Sequence, residues 1–411
     1  MSGRPYSLTI LDSCNDLTGW SINETAGGKV TLDTVNTRHG GASIKLTAPT
    51  SGDAAHITKA IPVPFAADDR IGYVLYVRNK TNVGNMGASV RFGTVAAYHS
   101  SGFRAWRSIN NTNPFNELYG WQLYPIEFDD LAQDGGAGAP TKNMAYISKR
   151  LQIAGGSAQY REINFDAIVR YRSKPTLIIT NDDGGVSAYT EGFSYADAAG
   201  VPMTFYIMPG VHEAAPGFYM SRAQVLELIA NGQDVQGHGQ DPWDENLPRM
   251  AQDIEQLRQE FGLPMRHVAY PLGRYGEELG DPFTFGGTQP SVAAMCEQLG
   301  IVSGRITRRG LIFPGVNEPY FLPVGANLTA GTSLANVQAV INRTIKHGLT
   351  CILYSHVFAD EAASSTWAIA DWQALIDWVV PLRRQGLLDI MTIDQWMATP
   401  SRPAALERPS T

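Results

Sequence analysis

The chain has 411 residues, of which 44% are hydrophobic and 17% are charged, so it is a globular chain and not an intrinsically disordered one. Its length favours two domains over one. The formal net charge of −7 argues against a nucleic-acid or anionic-membrane partner, which would need a basic face.

Membrane spans and cysteine-based frameworks are not expected either. No apolar run approaches the ~20 residues that cross a bilayer. The first residues, "MSGRPYSLTI", lack the charged region followed by an apolar region that marks a secretory signal, so no signal peptide is expected there. The three cysteines, Cys14, Cys296 and Cys351, are odd in number and far apart, which argues against a disulfide framework and a zinc knuckle.

Residues 1–172 are predicted to form an all-β domain. In "ASIKLTA" the apolar Ile44 and Leu46 alternate with Lys45 and Thr47, as in a strand with one buried face. Further predicted strands are "RIGYVLYVRN", "ASVRFGT" and "REINFDAIVRY". We interpret this region as a jelly-roll-like β-sandwich that either binds glycan or docks the chain to something larger.

From residue 173 to about 400, short apolar strands alternate with amphipathic helices. Ser221 and Gln224 form the capping-box pattern that begins a helix. Met250, Ile254 and Leu257 repeat at helical spacing on the next one. The predicted strands include "TLIIT", "MTFYIM", "HVAY", "TCILYS" and "LDIMT". This alternation implies a parallel sheet, and the number of units predicts a (β/α) barrel, followed by a disordered tail over 401–411.

Ionisable side chains follow several of these strands. Asp182 and Asp183 end the first strand, His238 follows the third, and His356 ends a late strand. The segment "AYPLGRYG" (269–276) follows the fourth. Because the loops after the strands carry the site in a β/α barrel, we expect these residues to converge on one face.

Two adjacent carboxylates at a strand end can divide the chemistry of hydrolysis between them. One can bind a divalent cation, which offsets the repulsion between the two charges, while the other remains a base. A histidine supplies a nitrogen ligand that suits Zn²⁺. The base takes a proton from the attacking water and an acid protonates the leaving amine, and Asp182 and His356 fit these two roles.

Each of these residues also has a plainer interpretation. Asp182, Asp183 and Gly184 could form a simple turn, because Asp and Gly favour turns. His238 could be a hydrogen-bonded loop histidine, and His356 could cap a buried strand. The joint occurrence of the carboxylates and both histidines at strand ends favours the catalytic interpretation.

Four motifs in order resemble the NodB-homology polysaccharide deacetylases, which are carbohydrate esterase family 4. They are "TNDDGG", "GQDVQGHGQD", "AYPLGRYG" and "ILYSHVF", and the resemblance covers about residues 173–398. The family implies a distorted (β/α) barrel of the NodB-homology type that removes N-acetyl groups from sugars with a divalent metal. The β-sandwich region carries no part of this resemblance.

The resemblance assigns a role to each matching position. It makes Asp182 the general base, Asp183 and His238 metal ligands, and His356 the general acid. It places the backbone N–H of Leu272 as an oxyanion donor. The segment that it implies for substrate binding comprises Tyr270, Pro271, Leu272, Gly273 and Arg274. The implied metal is zinc, with manganese, cobalt or nickel as alternatives.

Two positions depart from the family pattern. Pro242 stands where the family has its second metal-binding histidine, so we expect the preceding Asp241 either to supply the third ligand or simply to begin the turn. A site of two carboxylates and one histidine would favour metals such as manganese that accept more oxygen ligands. Ala269 stands where the family has an arginine that orients the base, and Arg274 or Arg305 could substitute for it.

The sequence therefore predicts a metal-dependent hydrolase that removes N-acetyl or O-acetyl groups from a polysaccharide or cell-surface glycan. Two alternatives remain open: a metal-independent amidase acting on a small cyclic amide, and a non-catalytic glycan-binding protein built on a degenerate barrel. A substrate outside the cell and the absence of a visible signal predict an extracellular or virion-associated protein, such as a phage tail component.

Overall fold

The computed structural model divides the chain into two compact units. One comprises Met1–Ser173 with Phe313–Asn317, and the other comprises Lys174–Ile312 and Glu318–Pro400. The structure describes residues 7–50, 52–59, 61–62, 70–77, 88–93, 105–109, 120–126, 132–133, 146–151, 161–211, 215–275, 292–313 and 316–399. The predicted tail, 401–411, lies outside this part of the chain.

The first unit is an antiparallel β-sandwich, as the sequence predicts. One sheet has the order β10-β7-β13-β4-β3 with β1 beside β13, the other has the order β11-β9-β8-β12-β6, and β2 pairs with β5. The strands are β1 Ser7–Asp12, β2 Ser21–Thr25, β3 Lys29–Asp33, β4 Ser43–Ala48, β5 Ala54–Thr58, β6 Ile61–Pro62, β7 Arg70–Val77, β8 Ala88–Gly93, β9 Ala105–Ile109, β10 Gly120–Ile126, β11 Ala132–Gln133, β12 Tyr146–Leu151 and β13 Arg161–Arg172.

Alternation along β4 fixes which of its faces enters the sandwich core. Ile44 and Leu46 are fully buried, and each is followed by a partly exposed residue, Lys45 and Thr47. Successive strand residues point to opposite faces of the sheet, so the predicted apolar face is the one that packs inward.

The second unit contains a parallel sheet in the order β19-β18-β17-β16-β15-β14-β21-β20, with β24 beside the start of β14. Its strands are β14 Thr176–Asp183, β15 Thr204–Ile207, β16 Asp234–His238, β17 His267–Ala269, β18 Ser303–Arg309, β19 Leu322–Val324, β20 Ala326–Leu328, β21 Thr350–Ser355 and β24 Asp389–Met391. A separate pair consists of β22 Val357–Ala359 and β23 Thr366–Ala368.

The two edge strands of this sheet, β19 and β20, are joined by a single glycine. Gly325 separates β19, which pairs with β18, from β20, which pairs with β21. A Cβ on Gly325 would lie 2.3 Å from Cys351 Sγ and 2.9 Å from Val340, so only glycine fits. The segment therefore nearly closes the sheet into a distorted barrel, which confirms the predicted fold class.

The helices of the second unit follow the predicted apolar faces. The capping box at Ser221 and Gln224 begins α2 as predicted, and Met250, Ile254 and Leu257 are buried on α3. The helices are α1 Ser194–Ala198, α2 Arg222–Ala230, α3 Leu247–Phe261, α4 Val292–Gln298, α5 Leu334–His347, α6 Ile369–Arg384 and α7 Ile393–Ala398. None of the helices in the described ranges has the length and apolar character needed to traverse a bilayer.

A buried polar network closes the end of the barrel where the strands begin. His267, at the start of β17, lies 2.8 Å from Ser303 Oγ through Nδ1 and 3.1 Å from Asp394 Oδ1 through Nε2. Both His267 and Ser303 are buried, and Asp394 belongs to the first turn of α7. The network therefore ties α7 to two neighbouring strands at the end that serves stability in such barrels.

Candidate active site

The carboxyl ends of β14, β16 and β21 bring together the residues selected from the sequence. Asp182 and Asp183 end β14, His238 ends β16, and His356 directly follows β21. Parallel pairing sets Asn181 opposite Ser355, so His356 emerges beside the carboxylates. The predicted convergence on one face of the barrel is therefore present in the structure.

Asp182 is held by an arginine from a distant strand of the same sheet. Nη2 of Arg305, on β18, donates a hydrogen bond to Asp182 Oδ2, and both side chains are buried. The other carboxylate oxygen, Oδ1, is buried and has no hydrogen-bond partner among the described residues. One oxygen thus fixes the carboxylate in place and the other remains able to accept a proton.

Arg305 is fixed in turn by aromatic rings. Its guanidinium carbon lies 4.6 Å from the ring centroid of Tyr354 and 5.6 Å from that of Tyr206. A cation over an aromatic face is stabilised by the ring quadrupole, and more strongly when it is desolvated. Of the two arginines considered as substitutes for the one missing at Ala269, the structure therefore places Arg305 on Asp182.

Asp183 has an unusual backbone that re-aims its side chain. Its φ is +70°, in the left-handed region, and Gly184 follows at +77°. A residue next to Asp182 in a regular strand would point to the opposite face of the sheet, but this conformation turns Asp183 toward His238 instead. Asp183 Oδ1 lies 3.2 Å from His238 Nε2, and 38% of the Asp183 side chain is exposed.

The orientation of His238 is set by a backbone carbonyl. Nδ1 lies 2.6 Å from the Ala269 oxygen, so Nδ1 carries a proton and donates a hydrogen bond to that oxygen. Nε2 then faces the carboxylate of Asp183, which is an acceptor. A positive species, either a proton on Nε2 or a bound cation, must accompany this pair, because two acceptors at 3.2 Å would repel each other.

The pKa values of this pair shift toward their charged forms. Burial by itself raises the pKa of Asp183, but the hydrogen bond and charge of His238, with His356 and Arg305, outweigh it and lower that pKa. Burial by itself lowers the pKa of His238, but the Asp183 hydrogen bond and the two aspartate charges raise it overall. The site therefore favours a carboxylate beside a positive charge.

An asparagine that the sequence analysis did not single out positions His356. The side-chain amide of Asn181 donates to Ser355 Oγ at 3.0 Å and to the His356 carbonyl at 2.9 Å. His356 itself is partly buried, and its Nδ1 is buried without a partner among the described residues. In the sequence, the feature that could have indicated this role is the position of Asn181 directly before the two aspartates at the strand end.

Asp183 and His238 fit a divalent cation as two ligands, but the described residues do not complete a three-ligand site. Their separation of 3.2 Å suits two ligands of one metal, since bonds of ~2.0–2.1 Å in a tetrahedron separate the ligands by ~3.3 Å. Within the described ranges, no group of three or more His, Cys, Asp or Glu side chains could hold a metal ion.

Asp241 is not part of such a group among the described residues, and its role as the third ligand stays a prediction. The residues that follow Asp241 account for its position. Trp243 is fully buried and donates to Asp253 Oδ2 at 2.9 Å, and its ring packs so tightly on Gly239 that a Cβ there would lie 2.4 Å from Nε1. The loop is thus drawn onto α3, and Asp241 is exposed at its outer edge.

The predicted substrate-binding segment divides into buried and exposed residues. The side chain of Tyr270 is buried, with its hydroxyl 3.5 Å from Cys296 Sγ, and Pro271 is also buried, so neither side chain is exposed in this structure and their predicted contact with substrate stays a prediction. Arg274 pairs with Asp244 at 3.3 Å and not with Asp182. Gly273 is required by packing, because a Cβ there would lie 2.0 Å from Thr307 Oγ1.

Leu272 is the member of this segment that remains available. It has φ +55°, and 79% of the residue is exposed. Its backbone N–H has no acceptor among the described residues, whereas the N–H groups of Gly273 and Arg274 donate to Tyr270 and Pro271. This arrangement agrees with the predicted oxyanion donor at Leu272, which stays a prediction.

Comparison with known proteins gives structural matches only. No protein-family model matches the chain, and no curated protein matches it. A putative polysaccharide deacetylase from Mycobacterium smegmatis is similar at 13% identity and a TM-score of 0.39, over 58% of this chain and 96% of that one. A family 4 carbohydrate esterase from Bacillus anthracis is similar at 15% identity and a TM-score of 0.34, over 55% and 83%.

The β-sandwich has structural matches of its own. A family 11 carbohydrate-binding module from Clostridium thermocellum, solved with a β-1,3-1,4-mixed-linked tetrasaccharide, is similar at 13% identity and a TM-score of 0.29. That match covers 41% of this chain and 96% of the module. At such low identities these similarities concern the fold alone.

Proposed function

We propose that this protein is a hydrolase that removes acetyl groups from a polysaccharide. The observation that supports this most is the state of Asp182. One carboxylate oxygen is fixed by buried Arg305, and the other is buried, has no partner within the described part of the chain, and is next to the partly exposed Asp183. A carboxylate fixed in this way at a strand end suits a general base.

The chain's own residues account for the proton transfers of hydrolysis. Asp182 accepts a proton from the water whose oxygen attacks the acetyl carbon. Leu272 N–H donates to the oxygen that becomes negative during this attack. His356 gives a proton to the sugar nitrogen, or to the oxygen of an ester, as its bond to the acetyl carbon breaks. Acetate and the free amine or hydroxyl are the products.

Asp183 and His238 would hold a divalent cation in this proposal. When bound, such an ion supplies Lewis-acid polarisation of the acetyl carbonyl and of the attacking water. His238 is prepared for this role because the Ala269 carbonyl fixes its Nδ1 proton and leaves Nε2 directed at the site. The ion would be zinc or, with more oxygen ligands, manganese, cobalt or nickel.

A metal-independent hydrolase is the second candidate, and one observation favours it. Asp183 and His238 lie within direct ion-pair distance, and the described residues offer no third acidic, thiol or imidazole ligand. A protonated His238 could then supply the positive charge beside the carboxylates. The substrate in this case would be a small cyclic amide.

The β-sandwich would hold the polysaccharide or dock the chain to a larger assembly. We propose it as residues 1–172, with the catalytic unit as 173–400. An extracellular or virion-associated location remains a prediction that follows from the proposed substrate.

The test is acetate release from soluble acetylated oligosaccharides. The full chain is incubated with an N-acetylated β-1,4-glucosamine tetramer and with O-acetylated xylotetraose, with each divalent metal and with a chelator. We expect acetate to appear with at least one metal and to stop with the chelator. Release that survives the chelator contradicts the metal dependence of the reaction, and no release under any condition contradicts the proposed function.

A further inference from the structure

A pair of aromatic residues, one exposed and one half-buried, lies in the loop that follows β15. Phe218 and Tyr219 contact each other with ring centroids 4.8 Å apart and ring planes at 81°. Phe218 is 61% exposed, which makes it one of the most exposed large apolar residues among those described. Large aromatic side chains dominate the energetics of contacts at interfaces, so this pair is a candidate ligand contact.

Backbone pairing fixes this pair to the loop that carries the aspartates. Val186 N donates to the Phe218 carbonyl at 2.9 Å, and Met220 N donates to the Gly184 carbonyl at 2.9 Å. Between them, Gly185 forms an antiparallel bridge with Tyr219. The bridge therefore holds the aromatic pair against Gly185, which is two residues after Asp183.

The same bridge lies beside both halves of the candidate catalytic machinery. A Cβ on Gly185 would lie 3.6 Å from the His356 carbonyl oxygen, so the bridge runs next to the loop after β21. On the other side, Gly185, the bridge partner of Tyr219, lies two residues after Asp183 in the chain. The aromatic pair thus borders the mouth of the site.

We propose that Phe218 and Tyr219 form a stacking platform for a sugar ring of the saccharide that carries the acetyl group. The perpendicular arrangement leaves the face of one ring available to a flat partner while the other ring supports it from the side. A pyranose ring has an apolar face of C–H groups that suits an aromatic face. The Tyr219 hydroxyl can bond to a sugar hydroxyl, since an aromatic with a polar tip serves both kinds of contact.

This inference rests on the proposed function for the identity of the occupant, and it adds two residues that determine specificity. They would bind the ring and not the acetyl group. Their effect is therefore expected on the affinity for saccharides and on the preference for a saccharide over a substrate that has no sugar.

The experiment compares full-length Phe218→Ala and Tyr219→Phe with the wild type. Leu387→Ala is the matched control, because Leu387 is an exposed apolar residue that precedes β24 at the opposite end of the strands. Two quantities are measured: the Kd for the N-acetylated glucosamine tetramer and for O-acetylated xylotetraose, and the ratio of kcat/KM on the better of these to kcat/KM on p-nitrophenyl acetate.

We expect Phe218→Ala to weaken saccharide binding and to lower the ratio by about tenfold, the usual size of an aromatic contact. Tyr219→Phe should have a smaller effect of about threefold, and Leu387→Ala should have none. Unchanged Kd and ratio in Phe218→Ala would overturn the inference and leave the proposed function intact. A wild type that binds neither saccharide would overturn the inference and would also count against the proposed function. Weakened binding in a protein that releases no acetate would support the platform and overturn only the hydrolase proposal.

Discussion

The guanidinium of Arg305 donates a hydrogen bond to the carboxylate of Asp182, and both side chains are buried inside the barrel. The two residues come from strands on different parts of the sheet, β18 and β14, and no local sequence motif links them. This ion pair fixes the proposed base, so we expect the stability of the fold and the proposed activity to depend on it.

Removing the arginine should destabilise the protein. Arg305→Met leaves the Asp182 carboxylate buried without its partner, which typically costs about 3–5 kcal/mol in the free energy of unfolding. Arg383→Met is the matched control, because Arg383 lies exposed on α6 and its side chain donates to the Gly200 carbonyl and not to a carboxylate among the described residues. Urea unfolding followed by circular dichroism measures both.

The double variant Arg305→Met with Asp182→Asn separates charge from packing. If the unpaired carboxylate causes the loss, replacing it by a neutral amide should restore a large part of the stability. A double variant that is as unstable as Arg305→Met would show instead that the packing of Arg305 against Tyr206 and Tyr354 is what matters.

Metal affinity should depend on two of the three predicted ligands. Asp183→Ala and His238→Ala should each lower the affinity for Zn²⁺ and Mn²⁺ by at least about tenfold, since each removes one of two side-chain ligands. Asp241→Ala should match the wild type, because the burial of Trp243 leaves Asp241 exposed at the outer edge of its loop. Equilibrium dialysis with elemental analysis gives stoichiometry and affinity. Loss of metal in Asp241→Ala would place that carboxylate back in the site.

The polar network at the opposite end of the barrel should make stability depend on pH. The hydrogen bond from His267 lowers the pKa of Asp394 in the folded protein. The ionised carboxylate therefore stabilises the fold above about pH 4, the ordinary unfolded value, and this contribution is lost as the pH falls through the lower folded pKa. Because 45% of the Asp394 side chain is exposed, we expect no more than about 1 kcal/mol.

Asp394→Asn tests this directly. At pH 7 it should lower the free energy of unfolding, and the difference from the wild type should shrink as the pH falls below about 4. Asp377→Asn, an exposed carboxylate on α6 that accepts a hydrogen bond from Tyr195, serves as the control. A difference for Asp394→Asn that stays constant from pH 7 to pH 2.5 would exclude the ionised pair as its cause.

The proposed domain boundary predicts an independent catalytic fragment. Every residue to which we assign chemistry lies in the second compact unit, so a fragment of residues 174–400 should fold and act on short soluble substrates. It should lose activity on polymer if the β-sandwich holds the glycan. Thermal unfolding by circular dichroism and acetate release are the measurements. An insoluble fragment would argue against the barrel as an independent unit.

Much of the site could be predicted because chain order encodes it. The hydrophobic runs locate the strands, the carboxyl ends of parallel strands meet at one edge, and Asp182, Asp183, His238 and His356 each follow such a run. The predicted sandwich and barrel rest on the same hydrophobic patterns, and they are confirmed. The roles of the individual residues remain predictions.

The remaining features depend on contacts that sequence spacing does not encode. Arg305 lies in "SGRITRR", where three arginines occur within a few residues, and only the register of β18 shows which one points into the barrel. The exposure of Asp241 follows from the burial of Trp243, and the burial of Tyr270 follows from the packing of Cys296 against it. Each depends on a tertiary contact between two segments, and the spacing of those segments in the sequence does not predict the contact.

The most direct test of the central claim is the turnover of Asp182→Asn on the best acetylated saccharide. The amide keeps the shape of the side chain but cannot accept the proton, so kcat should fall by roughly 10²–10⁴-fold. Asp241→Asn, an exposed carboxylate in the loop after β16, should keep wild-type turnover. Turnover of Asp182→Asn close to that of the wild type, in a protein that is still folded, would contradict the assignment of Asp182 as the base.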